Sequence, residues 1–146
     1  MNKTAWMVVG IIEVVIMLAI AIWSGVMGGC STQLETTAGG TCFMKCHWTF
    51  IAMPFVAIIG VVTAALATFA KTAEGRRFCA VATVVVAIIA IILTTSLGIG
   101  ICAKSEMHCN TTAMGVWIMG AIAIILGLVQ IAKGNPEAAE RPKMKL

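Results

Sequence analysis

Val84-Val85-Val86-Ala87-Ile88-Ile89-Ala90-Ile91-Ile92 would read as a buried strand in water. β-Branched side chains suit a pleated sheet and lose rotamer freedom in a helix. Length decides against that reading. The apolar run around these residues covers 78–101, close to the ~20 residues a helix needs to cross a ~30 Å hydrocarbon core. Lipid offers no water to backbone N–H and C=O groups, so continuous helix overrides strand propensity there. Three further runs of the same kind lie at 5–27, 49–70 and 113–132.

Composition agrees. The 146 residues are 60% hydrophobic and 11% charged, with a mean hydropathy of +1.02, whereas a soluble domain carries about 25% charge. The sequence predicts an all-α integral membrane four-helix bundle. A single four-span domain fills 1–132, and a cytoplasmic tail follows over 133–146. The first run is too long for a signal peptide and lacks its small-residue cleavage site, so it is a retained span. The net charge of +4 is scattered over loop ends and tail without interleaved aromatics, which excludes a nucleic-acid partner.

Basic residues orient the spans. Lys3, Lys71, Arg76, Arg77, Lys133, Arg141, Lys143 and Lys145 fall on one side, and only Lys45 and Lys104 on the other. The positive-inside rule puts both termini and the middle turn in the cytoplasm. The cysteines segregate the same way. Cys79 lies inside, while Cys30, Cys42, Cys46, Cys102 and Cys109 lie outside, where disulfides form.

The two halves echo each other. Ser24 precedes Cys30 as Ser96 precedes Cys102, with glycines between. Met44-Lys45-Cys46-His47-Trp48-Thr49 then matches Met107-His108-Cys109-Asn110-Thr111-Thr112 as Met-x-Cys-x-x-Thr. Both units run in–out–in, so they form two parallel helix–loop–helix repeats about an axis along the membrane normal. The matched thiols Cys30, Cys46, Cys102 and Cys109 are the disulfide candidates. One bridge per loop, Cys30–Cys46 and Cys102–Cys109, is the first expectation, and a cross-repeat arrangement stands nearly level with it. Cys42 is left over, and on a helix it would share a face with Cys46 at i, i+4.

The Met-Lys-Cys-His-Trp-Thr run at 44–49, with the weaker Met-x-Cys motif of the second loop, resembles an uncharacterised family of small bacterial and archaeal four-span membrane proteins. The likeness covers most of the chain through topology and these two motifs. Members of that family neighbour ABC-type export permeases. The resemblance implies an accessory role beside a transporter, in a bacterial or archaeal plasma membrane. It carries over no enzyme activity, and Cys42 is an addition to the family pattern.

Other readings compete for the same residues. Met44, Cys46, His47, Met107, His108 and Cys109 make a set of soft ligands suited to copper or zinc, although thiols tied in disulfides cannot ligate. No other cofactor is expected. Four spans with cysteines in each outer loop also match the layout of quinone-linked disulfide-generating membrane enzymes. Those carry Cys-x-x-Cys, however, and this loop has Cys-x-x-x-Cys with no nearby arginine for a quinone. Lys45, His47 and Trp48 form an interface motif at the membrane surface, with Trp48 as the anchor.

Glu13 is the one acid deep in a span, and no Lys, Arg or His lies within the spans to pair with it. Such a carboxyl is costly in lipid and calls for a role: a bond to a neighbouring Thr or backbone group, contact with a partner subunit, or proton transfer. Pro54 should perturb the start of the second span. Gly10, Gly25, Gly60, Gly98, Gly100, Gly115, Gly120 and Gly127 would let helices approach closely. Together these features favour a non-enzymatic membrane subunit with a membrane-protein partner or self-association. A thiol–disulfide oxidoreductase and a copper- or zinc-binding protein are the alternatives.

Overall fold

The computed structural model describes residues 3–28, 33–35, 41–43, 45–101 and 108–132. Four helices carry the fold: α1 (Lys3–Met27), α2 (Lys45–Phe69), α3 (Ala73–Leu93) and α4 (His108–Ala132). Each is long and apolar enough to cross a membrane. They alternate in direction and pack as a ring, α1 on α2, α2 on α3, α3 on α4 and α4 back on α1. The chain is a multi-pass membrane protein built as a four-helix bundle.

Large apolar side chains face outward on every helix, among them Val15, Phe55, Ile89 and Ile125. The interior combines a few long side chains with several alanines. Its main cluster contains Met17, Ile20, Met53, Ala57, Ala87, Ala90, Val116 and Ala123. This inverts the soluble pattern, as expected where lipid is as apolar as leucine and helix contact depends on close packing. Gly60 admits the Met17 thioether, whose sulfur would lie 2.8 Å from an added Cβ.

The buried positions of α2 and α4 recur at a fixed offset. Cys46, Thr49, Phe50, Met53, Ala57, Gly60, Ala64 and Ala67 correspond, 63 residues on, to Cys109, Thr112, Ala113, Val116, Gly120, Ala123, Gly127 and Gln130. Thr68 alone has no buried counterpart. A second offset, 70, relates Gly10, Glu13, Met17, Ile20 and Ser24 of α1 to Ala80, Thr83, Ala87, Ala90 and Thr94. Ser96, paired with Ser24 by sequence, sits instead on an exposed turn. The buried hydroxyl in that place is Thr94, because α3 stops at Leu93 with Thr94 as its cap.

Helix ends depart from the apolar runs for physical reasons. α3 starts ahead of its run because Thr72 caps it, accepting from the Gly75 amide at 3.3 Å, and Glu74 lies in the first turn. It ends before the run does. The segment after Leu93 folds back through Thr95 N–H to Ile92 O, Gly98 N–H to Thr95 O and Gly100 N–H to Leu93 O. Gly100 has φ +87°, which few other residues adopt. Gly98 lies against backbone, with Ile92 O 2.5 Å from where a Cβ would sit. These two glycines shape a turn rather than a helix contact. Gly98→Ala should therefore loosen this cap, raising hydrogen exchange of the Thr94, Thr95 and Gly100 amides above wild type while exchange in α1 and α2 stays unchanged.

The structure also corrects the loop before α2. Gln33–Glu35 (β1) and Thr41–Phe43 (β2) pair antiparallel, with Leu34 opposite Cys42. Cys42 is thus on a strand and Cys46 on a helix, so the two do not share a helical face. Helix α2 runs unbroken through Pro54.

Candidate functional site

Two places gather polar or reactive groups in this apolar bundle. The first is where α2 and α4 begin. Cys46 and Cys109 are the second residues of their helices, both fully buried, and they share one cluster with Phe50 and Ala113. Thr49 and Thr112, three residues on, are buried too. Thr112 Oγ donates to His108 O at 3.0 Å. Thr49 Oγ donates to Gly100 O at 2.7 Å, tying the turn after α3 to the head of α2.

Cys79 and Cys109 are thiols in this structure. Cys30 and Cys102, the expected partners of Cys46 and Cys109, lie outside the described residues, as do Met44 and Met107 of the soft-ligand set. Among the described residues no three His, Cys, Asp or Glu side chains come together. Helix geometry gives the reason. Neighbours in sequence point about 100° apart, so Cys109 is buried while His108 is exposed, and Cys46 is buried while His47 is half-buried. The interface motif turns outward in the same way. Lys45 is exposed, and the Trp48 indole is 56% exposed and meets the His47 ring edge-on at 5.8 Å.

The second place is a polar layer nearer the other end of the bundle. Glu13 of α1 is fully buried, and its Oε2 accepts from Gln130 Nε2 of α4 at 2.8 Å. On the opposite side, the Thr83 hydroxyl of α3 and the Thr63 hydroxyl of α2 lie 3.0 Å apart. Thr83 occupies in α3 the burial position that Glu13 occupies in α1. Glu13 Oε1 and Gln130 Oε1 have no hydrogen-bond partner among the described residues. Gly127 makes room for the carboxyl, since an added Cβ would stand 3.1 Å from Glu13 Oε1 and against Val84 Cγ2.

Gln130 escaped the sequence reading, which sought a cation for Glu13. The available signal was an amide near the end of an otherwise apolar span, one of few groups able to donate to a buried carboxyl. Of the roles open to Glu13, a bond to a neighbouring helix is the one formed, although through an amide rather than a hydroxyl or backbone group.

Tryptophans finish the polar accounting. Trp117 Nε1 donates to Thr94 Oγ at 2.6 Å, and Trp6 Nε1 to Ala67 O at 3.4 Å. Ala67 O is one of the last carbonyls of α2, which lack an in-helix donor. Trp23 Nε1 packs over Gly115 with no acceptor among the described residues.

A four-span bundle with a buried acid–amide pair and paired buried cysteines is the class these features define. The chain belongs to a family described as a domain of unknown function (DUF4418), whose model matches residues 7–133. No curated protein and no solved structure matches it.

Proposed function

We propose that the protein is a small integral membrane subunit that presents its loop-end surface to a partner in a membrane transport complex. One observation carries this reading. The exposed Trp48 indole, its edge contact with His47 and the exposed Lys45 lie together at the head of α2, directly after the β1–β2 hairpin. An exposed aromatic beside a cation on a rigid helix is the kind of anchor that dominates protein interfaces. The matching burial registers support a duplicated helix–loop–helix unit. The split of Lys and Arg supports cytoplasmic termini with the loops outside, and the family resemblance a bacterial or archaeal plasma membrane. Disulfides among Cys30, Cys46, Cys102 and Cys109 would clamp those loops.

The test is site-specific photo-crosslinking in intact membranes. A photoreactive residue at position 48 should give a defined adduct with a membrane transport protein, and one at Ile125, exposed in mid-span, should not. Lys45→Glu should reduce the position-48 adduct severalfold without changing the melting temperature in detergent. Lipid adducts alone from position 48 would reduce Trp48 to a membrane anchor and overturn the subunit reading.

A second reading, thiol–disulfide exchange, draws on the shared cluster of Cys46 and Cys109. Two thiols would close to a disulfide as two electrons and two protons pass to a quinone. Peptide mapping under quinone and then reductant tests it. A bridge that forms and reopens favours exchange, and a pairing that never changes leaves the clamp.

A further inference from the structure

The end of the bundle opposite the hairpin carries a cavity of about 240 Å³, lined by Trp6, Met7, Thr68, Phe69, Lys71 and Arg76. It lies where the start of α1 meets the turn between α2 and α3. We propose that it binds an acidic phospholipid, with Lys71 and Arg76 taking the phosphate and Met7 and Phe69 lying along the start of an acyl chain.

The arrangement is amphiphilic on a short scale. Phe69, the last residue of α2, is 74% exposed, and Met7, in the opening turns of α1, is 45% exposed. Lys71, two residues beyond Phe69, is exposed as well. A molecule filling both halves must carry hydrocarbon and negative charge in one body. The α2–α3 turn and the start of α3 hold Lys71, Arg76 and Arg77 against the single acid Glu74, so their charge favours an anion. Juxtamembrane basic residues attract acidic lipids in this way.

The cationic half is also pinned. Arg76 Nε donates to Ala70 O at 2.5 Å, which holds the guanidinium across the turn instead of letting it trail into solvent. An arginine fork fixed by one nitrogen keeps its outer nitrogens for a phosphate. The cavity floor is equally set, because Trp6 is only 6% exposed and bonded to Ala67 O. Arg77 is exposed and does not line the cavity. It therefore serves as a charge-matched control. The proposal needs only the membrane-spanning bundle and is independent of any partner at the hairpin end.

Native mass spectrometry of the full chain, released from micelles doped with equal phosphatidylglycerol and phosphatidylcholine, tests it. Phosphatidylglycerol should be retained preferentially. Lys71→Ala and Arg76→Gln should each weaken retention about fivefold, the loss of one direct charge-assisted contact to the phosphate. Arg77→Gln should leave it within about twofold. Equal losses in all three variants would mean unspecific attraction and overturn the site. Binding of glycerol 3-phosphate as tight as that of the lipid would make it a phosphate site and overturn the lipid assignment. Should Arg76→Gln lose helical signal, Lys71→Ala decides, since Lys71 is exposed and its loss leaves the fold intact.

Discussion

Gln130→Leu is expected to destabilise the bundle by about 1–3 kcal/mol, read as a lower denaturation midpoint in SDS titration from bicelles. The leucine fills a similar volume, so packing is nearly conserved. What is lost is the only donor to Glu13 among the described residues. The carboxyl then stays fully buried with neither oxygen bonded, and its desolvation goes uncompensated. Interhelical hydrogen bonds in membranes average well below the upper end of this range. The larger part of the effect is therefore the stranded acid, and a double-mutant cycle separates the two. Glu13→Leu with Gln130→Leu removes donor and acceptor together and should recover most of the loss, because two apolar groups of like shape replace a matched polar pair. If the double variant is as unstable as Gln130→Leu alone, the cost lies in helix packing and the pair is incidental.

That pair marks where sequence reading stops. The spans were legible because lipid imposes one requirement, about twenty apolar residues in helix, and the chain meets it four times. The Met-x-Cys-x-x-Thr match falls on positions that the fold buries alike, Cys46 with Cys109 and Thr49 with Thr112. Helix ends were less legible, since an apolar run does not distinguish a helix from an apolar turn. Gly98 and Gly100 looked like helix-packing residues, yet one packs on backbone and the other has a positive φ. The partner of Glu13 was illegible for another reason. Which helix faces Glu13 depends on the ring closing α4 onto α1, and helix order around a bundle leaves no local trace in sequence. The same holds for Thr63 and Thr83, which meet only because α2 and α3 are neighbours.

Gly127→Ala should cost as much as the loss of Gln130, about 1–3 kcal/mol, although alanine is the better helix former. An added Cβ would collide with Val84 Cγ2 and stand 3.1 Å from Glu13 Oε1. Valine is branched at Cβ and cannot swing its methyl aside without leaving its favoured rotamer. The contact must therefore be relieved by moving α4 off α3, or by pushing the carboxyl away from Gln130. The two routes leave different signatures. If helix separation relieves the strain, Val84→Ala introduced beside Gly127→Ala should restore most of the stability, since the clashing methyl is gone. If displacement of the acid dominates, Val84→Ala restores little and the Gln130→Leu penalty shrinks in the Gly127→Ala background, because the hydrogen bond is already weakened. The methyl contact is much the closer of the two, so rescue by Val84→Ala is the expected result. Non-additivity of this size is normal for residues in direct contact. Simple additivity of Gly127→Ala with both Val84→Ala and Gln130→Leu would mean that α3, α4 and the carboxyl do not meet at Gly127.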